Sequence, residues 1–172
     1  MEGEATRRVI VTVIGDSDTQ NKEELEFAET LGIKLAQKGF LVLTGGRGGV
    51  MEAVCRGVKK AGGITIGIIP DEKASGANPY VDIVIPTGLG WLRNVINVLA
   101  ASIVIAIGGK SGTLSEIAFA WMYGKPIIAV SGFSGWSEKL AGKRLDDRRE
   151  DIIYSAKSVD EVIRKIEEIL QE

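Results

Sequence analysis

The residues best equipped for chemistry stand at strand–glycine–helix junctions. Ile103-Val-Ile-Ala-Ile107 stops at Gly108-Gly109-Lys110-Ser111-Gly112, and a helix opens with Thr113 and Glu116 in its first turn. An earlier junction repeats the design, with Phe40-Leu-Val-Leu-Thr44 leading into Gly45-Gly46-Arg47-Gly48-Gly49 and then Val50-Met51-Glu52. Backbone N–H groups at such turns face outward, and the helix N-terminus that follows carries partial positive charge. The chemistry this predicts is the binding of a phosphate or carboxylate. Four glycines in five positions exceed what one tight turn requires. A third loop, Gly15-Asp16-Ser17-Asp18, closes the first strand and joins the same set.

Glu116 has two readings. Thr113-Leu-Ser-Glu116 fits a capping box, in which Thr113 caps the helix and Glu116 reaches back to the Thr113 N–H. Beside an anion-binding loop, the same carboxylate could orient a water or bind sugar hydroxyls. Arg93 opens the helix before this strand, among Trp91, Leu92, Val95, Ile96 and Leu99. Such apolar company predicts a helix buried on more than one side, in part by another subunit. A guanidinium there needs an anionic partner, either a substrate phosphate or Glu116.

Other chemistries are excluded. The chain has no histidine, which removes His-containing zinc sites, Ser-His-Asp triads and imidazole acid–base pairs. No metal and no resident cofactor is expected. Gly109-Lys110-Ser111 is not a P-loop, because that pattern needs glycine at the position held by Val104. The dinucleotide fingerprint fails as well, since strand one ends in Gly15-Asp16-Ser17 and strand two in Thr44. A net charge of −2 argues against a nucleic-acid partner held through its backbone. With one cysteine, Cys55, and opening residues that lack signal-peptide form, a cytoplasmic location is expected. No apolar run approaches the ~20 residues of a membrane span.

The elements that must position these residues alternate along the 172-residue chain. Strands are predicted at Val9–Ile14, Phe40–Leu43, Ile64–Ile69, Ile83–Ile85, Ile103–Ile107, Pro126–Val130 and Ile152–Ser155. Helices are predicted over 21–38, 50–60, 89–100 and 113–123, with a last one from Ser158, where Ser158 and Glu161 fit a capping box. Residues 71–80 read as an irregular surface loop. The charged stretch Lys139–Asp151 reads as a solvated loop, a short helix or a lid. Nearly continuous apolar strands separated by helices predict one α/β domain over 1–172, a three-layer Rossmann-like sandwich with a mostly parallel, doubly wound sheet. Ligands in such folds sit at the carboxyl ends of the strands, where all three glycine-bearing loops fall.

Taken together, these motifs resemble the Lonely Guy superfamily, which also carries a lysine decarboxylase label. Its GGG-x-x-GLMG loop, Arg-Lys pair and PGG-x-GT-x-x-E motif correspond to Thr44–Glu52, Arg93-Asn94 and Gly108–Glu116. The separation of 23 between Arg93 and Glu116 also matches. The resemblance implies a cytosolic homodimer or homotetramer with sites at the dimer interface. It implies phosphoribohydrolysis, in which a nucleoside 5′-monophosphate yields free base and ribose 5-phosphate. Arg93 and Glu116 would be the catalytic pair. Gly45, Gly46, Gly49, Gly109, Gly112 and Thr113 would line the phosphate and ribose pocket, with Gly15, Ser17, Arg47, Gly48, Met51, Gly108, Lys110 and Ser111 beside them. Lys110, Asn94 and Glu52 depart from the family pattern. These departures resemble a divergent branch that includes molybdenum cofactor carriers, which implies the alternative of a carrier or sensor without turnover. That branch is related in fold to DNA-processing protein A. The residues offer no pyridoxal-phosphate site.

Overall fold

A computed structural model of the chain describes residues 3–172; Met1 and Glu2, with which the expected domain begins, lie outside the described residues. Seven strands form one sheet in the order β4-β3-β2-β1-β5-β6-β7, every neighbouring pair parallel. They are β1 Ile10–Gly15, β2 Leu41–Thr44, β3 Thr65–Ile69, β4 Ile83–Pro86, β5 Ile103–Ile107, β6 Ile127–Val130 and β7 Tyr154–Ala156. The helices are α1 Lys22–Gln37, α2 Val50–Lys60, α3 Arg93–Leu99, α4 Ser111–Met122, α5 Trp136–Leu140 and α6 Val159–Gln171. The predicted α/β sandwich is the observed one.

The pleat divides the core in two. Ile103, Ile105 and Ile107 of β5 face the layer of α1, α2 and α6, while Val104 and Ala106 face α3 and α4. All five residues of β5 are buried, as a central parallel strand covered on both faces requires. Strand order reverses between β1 and β5, whose following loops therefore flank the crevice at the switch point. The loop after β2 lies on the other side of β1.

Helices α1 and α2 meet through glycine. A Cβ on Gly57 would overlap the carbonyl oxygen of Glu29, and one on Gly32 would overlap that of Val54. In an open helix, Gly→Ala stabilises by roughly 1 kcal/mol. Here the sign reverses. Gly57→Ala is expected to destabilise the fold by about 2 kcal/mol, read as a lower urea midpoint with unchanged slope.

Four local expectations are corrected. Helix α4 starts at Ser111, two residues before the expected Thr113, because Gly108 and Gly109 at positive φ turn the chain early. The expected helix over 89–100 is a 3-10 turn, Gly90–Leu92, followed by α3, since Gly88 and Gly90 also adopt positive φ. Strand β7 begins at Tyr154 rather than Ile152; Ile153 exchanges backbone bonds with Lys143 and Gly142 instead of joining β6. In the last helix, Ser158 Oγ accepts from the Glu161 N–H (3.2 Å), but the Glu161 carboxylate accepts from Lys157 N–H (2.6 Å), so the capping box closes one residue early.

The charged stretch Lys139–Asp151 begins within α5, and its later part is held against α4 and the turn that follows it. Trp121 Nε1 donates to Asp146 (2.7 Å), and Arg149 donates to Lys125 O (2.8 Å) while its guanidinium lies 4.5 Å from the Trp121 ring. None of its residues lines the cavity at the strand ends.

Candidate functional site

A cavity of about 590 Å³ opens at the carboxyl edge of the sheet, within the range of small-molecule sites. Arg93 and Glu116 face it, together with Gly15, Ser17, Arg47, Met51 and the first turn of α4 from Lys110 to Thr113. The remaining expected ligand residues, Gly45, Gly46, Gly48, Gly49, Gly108 and Gly109, stand behind the wall. Protein atoms approach each of them closely. A Cβ on Gly45 would come within 2.7 Å of Arg93 Nη2, and one on Gly48 within 2.9 Å of Ser17 O. Gly49, at positive φ, packs on the Asp16 carbonyl, which accepts from the Val50 N–H (2.9 Å). Gly46 N–H donates to Thr44 Oγ1 (3.0 Å), and Gly108 N–H to Ser137 Oγ (2.7 Å). Gly109 leaves room for Thr113.

The free backbone donors at the cavity belong to the N-terminus of α4. Its first i→i−4 bond is Leu114 N–H to Lys110 O (2.9 Å), and no side chain caps it. The amides of Ser111, Gly112 and Thr113 therefore lack intrahelical acceptors where their residues line the cavity.

The expected capping box at Thr113 does not form. Thr113 lies inside the helix, and the Glu116 carboxylate turns toward α3, where Asn97 Nδ2 donates to its Oε1 (2.9 Å). Arg93 Nη1 stands 4.0 Å from the same oxygen. Asn97 is held in turn, its carbonyl accepting from the buried Thr12 hydroxyl (2.9 Å). Arg93 donates to Gly45 O (3.2 Å) and to Asn94 Oδ1, and Asn94 Nδ2 donates to Ser115 Oγ (3.0 Å). The polar side chains of α3 thus form its inner face against α4. Asn94 and Asn97 were not among the expected site residues. Their signal was spacing, since Arg93, Asn94 and Asn97 recur at i, i+1 and i+4 in an otherwise apolar helix.

Burial sets the electrostatics. Glu116 is 7% exposed, and desolvation pushes its pKa from 4.5 up to about 7, against the opposing pull of Asn97 and Arg93. Desolvation also lowers the Arg93 pKa, with Glu116 acting the other way. At 4.0 Å the two charges offset each other's burial only in part, and Arg93 Nε is buried without a partner.

Two outer features complete the frame. Lys110 Nζ bridges Asp18 (2.8 Å) and Asp16 (3.4 Å) at the mouth. The 71–80 segment buttresses the glycine loop: Asn78 N–H donates to Gly46 O (2.8 Å), its Nδ2 to Arg47 O (2.9 Å), and Arg47 pairs with Asp71 (3.0 Å). Cys55 is buried, and desolvation pushes its thiol up to about 11, which leaves it inert.

A parallel sheet whose central loops frame such a cavity defines a Rossmann-like architecture. The chain belongs to the SLOG cluster4 family, whose model matches residues 8–163, and lies in a divergent Lonely Guy-like branch. It is 39% identical over 120 residues to an uncharacterized protein of Archaeoglobus fulgidus, covering 70% of this chain and 78% of that one. It is 33% identical over 129 residues to a cytokinin riboside 5′-monophosphate phosphoribohydrolase of Mycobacterium tuberculosis, covering 70% and 69%. Among solved structures, the molybdenum cofactor binding protein of Rippkaea orientalis superposes with a TM-score of 0.86 at 38% identity, covering 96% and 99%. Among the described residues, no helix is long and apolar enough to cross a membrane.

Proposed function

We propose that the chain binds a phosphorylated, nucleotide-derived ligand and hydrolyses the N-glycosidic bond of a nucleoside 5′-monophosphate. The observation that carries this reading is Glu116, buried and held near neutrality, beside Arg93 on a cavity edged by the free amides of α4. In the proposed reaction the phosphate docks on Arg93 and the α4 amides. Water attacks the sugar C1′, the C1′–N bond breaks, and Glu116 takes the water proton and passes it to the departing base. Cleavage of this kind runs through an oxocarbenium-like state that a carboxylate also stabilises. A pKa near working pH suits both halves of the transfer.

The ionised form of Glu116 is the working one. Base release, followed chromatographically, is expected to rise with pH through about 7 and then level off. A flat profile from pH 5 to 9 in an active protein would remove Glu116 from the role of base.

The second reading, a carrier that holds a phosphorylated cofactor without turnover, draws on the likeness to the Rippkaea orientalis protein and on Lys110. Its ion pairs with Asp16 and Asp18 bridge the mouth at a position where the hydrolase motif has glycine. Tight binding of such a cofactor, with no base released from any nucleotide, would favour it.

We also propose a homodimer or homotetramer assembled through α3 and the end of α4. Leu92, Leu99 and Tyr123 are 68%, 44% and 54% exposed, while Arg93, Asn94 and Asn97 point inward, so the apolar side of α3 is its outer one. The expected double burial of α3 is therefore absent within one chain. Leu92→Glu with Leu99→Glu is expected to shift sedimentation to the monomer.

A further inference from the structure

Trp91 is the largest side chain on the cavity wall, and it is 80% exposed. We propose that its indole face is the platform on which the ligand's planar heterocyclic ring stacks, making Trp91 a binding residue that favours ring-bearing ligands over a bare sugar phosphate. The inference rests on the phosphorylated-ligand reading above and adds the aromatic half of that ligand.

Three observations fix the placement. The indole lies against the first turn of α4: a Cβ on Gly112 would stand 3.3 Å from Trp91 Cζ3, so glycine lets the ring sit close beside the free amides. Gly112 and Glu116 are one helical turn apart on α4, which places the ring about a turn from the carboxylate. A ligand with its phosphate on the amides and its glycosidic nitrogen at Glu116 carries its base alongside Trp91.

The backbone beneath the platform is anchored. Gly88 N–H donates to Asp71 O (2.9 Å), Gly90 N–H to Pro70 O (3.2 Å), and Thr87 Oγ1 to Ile69 O (2.8 Å). The turn that presents the indole is thus tied to the end of β3, while the ring keeps an open face. Leu89, Leu92 and Leu99 are also exposed, but they border no part of the cavity. An aromatic ring is sequence-tolerant toward bases, because every base has a π-face, and such stacking is lost on truncation to alanine.

The test is titration calorimetry of Trp91, Trp91→Ala and Trp91→Phe proteins, all in the Glu116→Gln background so that nucleotide is bound and not consumed, with AMP, GMP and ribose 5-phosphate, each protein also run in sedimentation. The expected result is a loss of roughly 5- to 100-fold in AMP and GMP affinity for Trp91→Ala. Ribose 5-phosphate affinity should stay within about twofold, and Trp91→Phe should recover most of the nucleotide affinity. Equal weakening of nucleotide and ribose 5-phosphate, or a changed assembly state accompanying it, would overturn the proposal, because the residue would then act through fold or interface. Protein with Trp91 intact that binds ribose 5-phosphate as tightly as AMP and GMP would overturn stacking alone. Binding of none of the three would overturn the phosphorylated-ligand reading as well.

Discussion

Glu116→Gln is expected to lower base release by roughly 10²–10⁴-fold while making the fold more stable at alkaline pH. Both effects have one cause. Burial raises the carboxyl pKa from 4.5 to about 7, so the folded state binds a proton that the unfolded chain releases earlier. Wild-type stability therefore falls as pH rises through the window from 4.5 to about 7. Glutamine keeps an oxygen to accept from Asn97 Nδ2 and removes the ionisation. The variant's advantage should be small at pH 5 and reach about 3 kcal/mol by pH 8, at 1.36 kcal/mol per pKa unit. Urea unfolding at the two pH values measures it. An advantage that does not grow with pH would mean that Glu116 is solvated and unperturbed.

Arg93→Ala is expected to act in the opposite direction on stability and to weaken phosphate binding strongly. Truncating one partner of a buried, hydrogen-bonded charge pair costs roughly 2–5 kcal/mol, which corresponds to a loss in affinity of at least about 30-fold. Gly45 O and Asn94 Oδ1 lose their donors at the same time. The diagnostic readout is the pH profile. Arg93 lowers the Glu116 pKa, so its removal should carry the rise in activity to higher pH. A variant with weakened binding and an unmoved profile would show that Arg93 serves the phosphate alone.

The architecture and the gathering of the glycine-bearing loops at one sheet edge were legible because they rest on short-range patterns. Apolar runs and glycine punctuation placed every strand within about two residues, and the three loops fell on one edge by topology alone. Glu116 was legible only as an ambiguity. Thr-x-x-Glu serves a cap or a partner helix, depending on where the helix begins, and that start was set by the positive φ of Gly108 and Gly109. The glycine-rich loop has a packing reason for its composition as well. Glycine records any close approach, and for Gly45, Gly48 and Gly49 the approaching atoms belong to Arg93, Asp16 and Ser17. Asn97, Asn78 and the Lys110 bridge depend on contacts between distant segments, which no local pattern encodes. The apolar face of α3 was visible, but its period does not say which face points inward. The polar one does.

Glu116 is the proposed cleaving group. The direct measurement is incubation with a panel of nucleoside 5′-monophosphates, with free base and ribose 5-phosphate quantified for wild type and for Glu116→Ala. The predicted result is stoichiometric release of both products by wild type and at least a 100-fold slower release by the variant, on the order expected for loss of positioned acid–base help. Release that survives Glu116→Ala, or no release by wild type from any member of the panel, would contradict it.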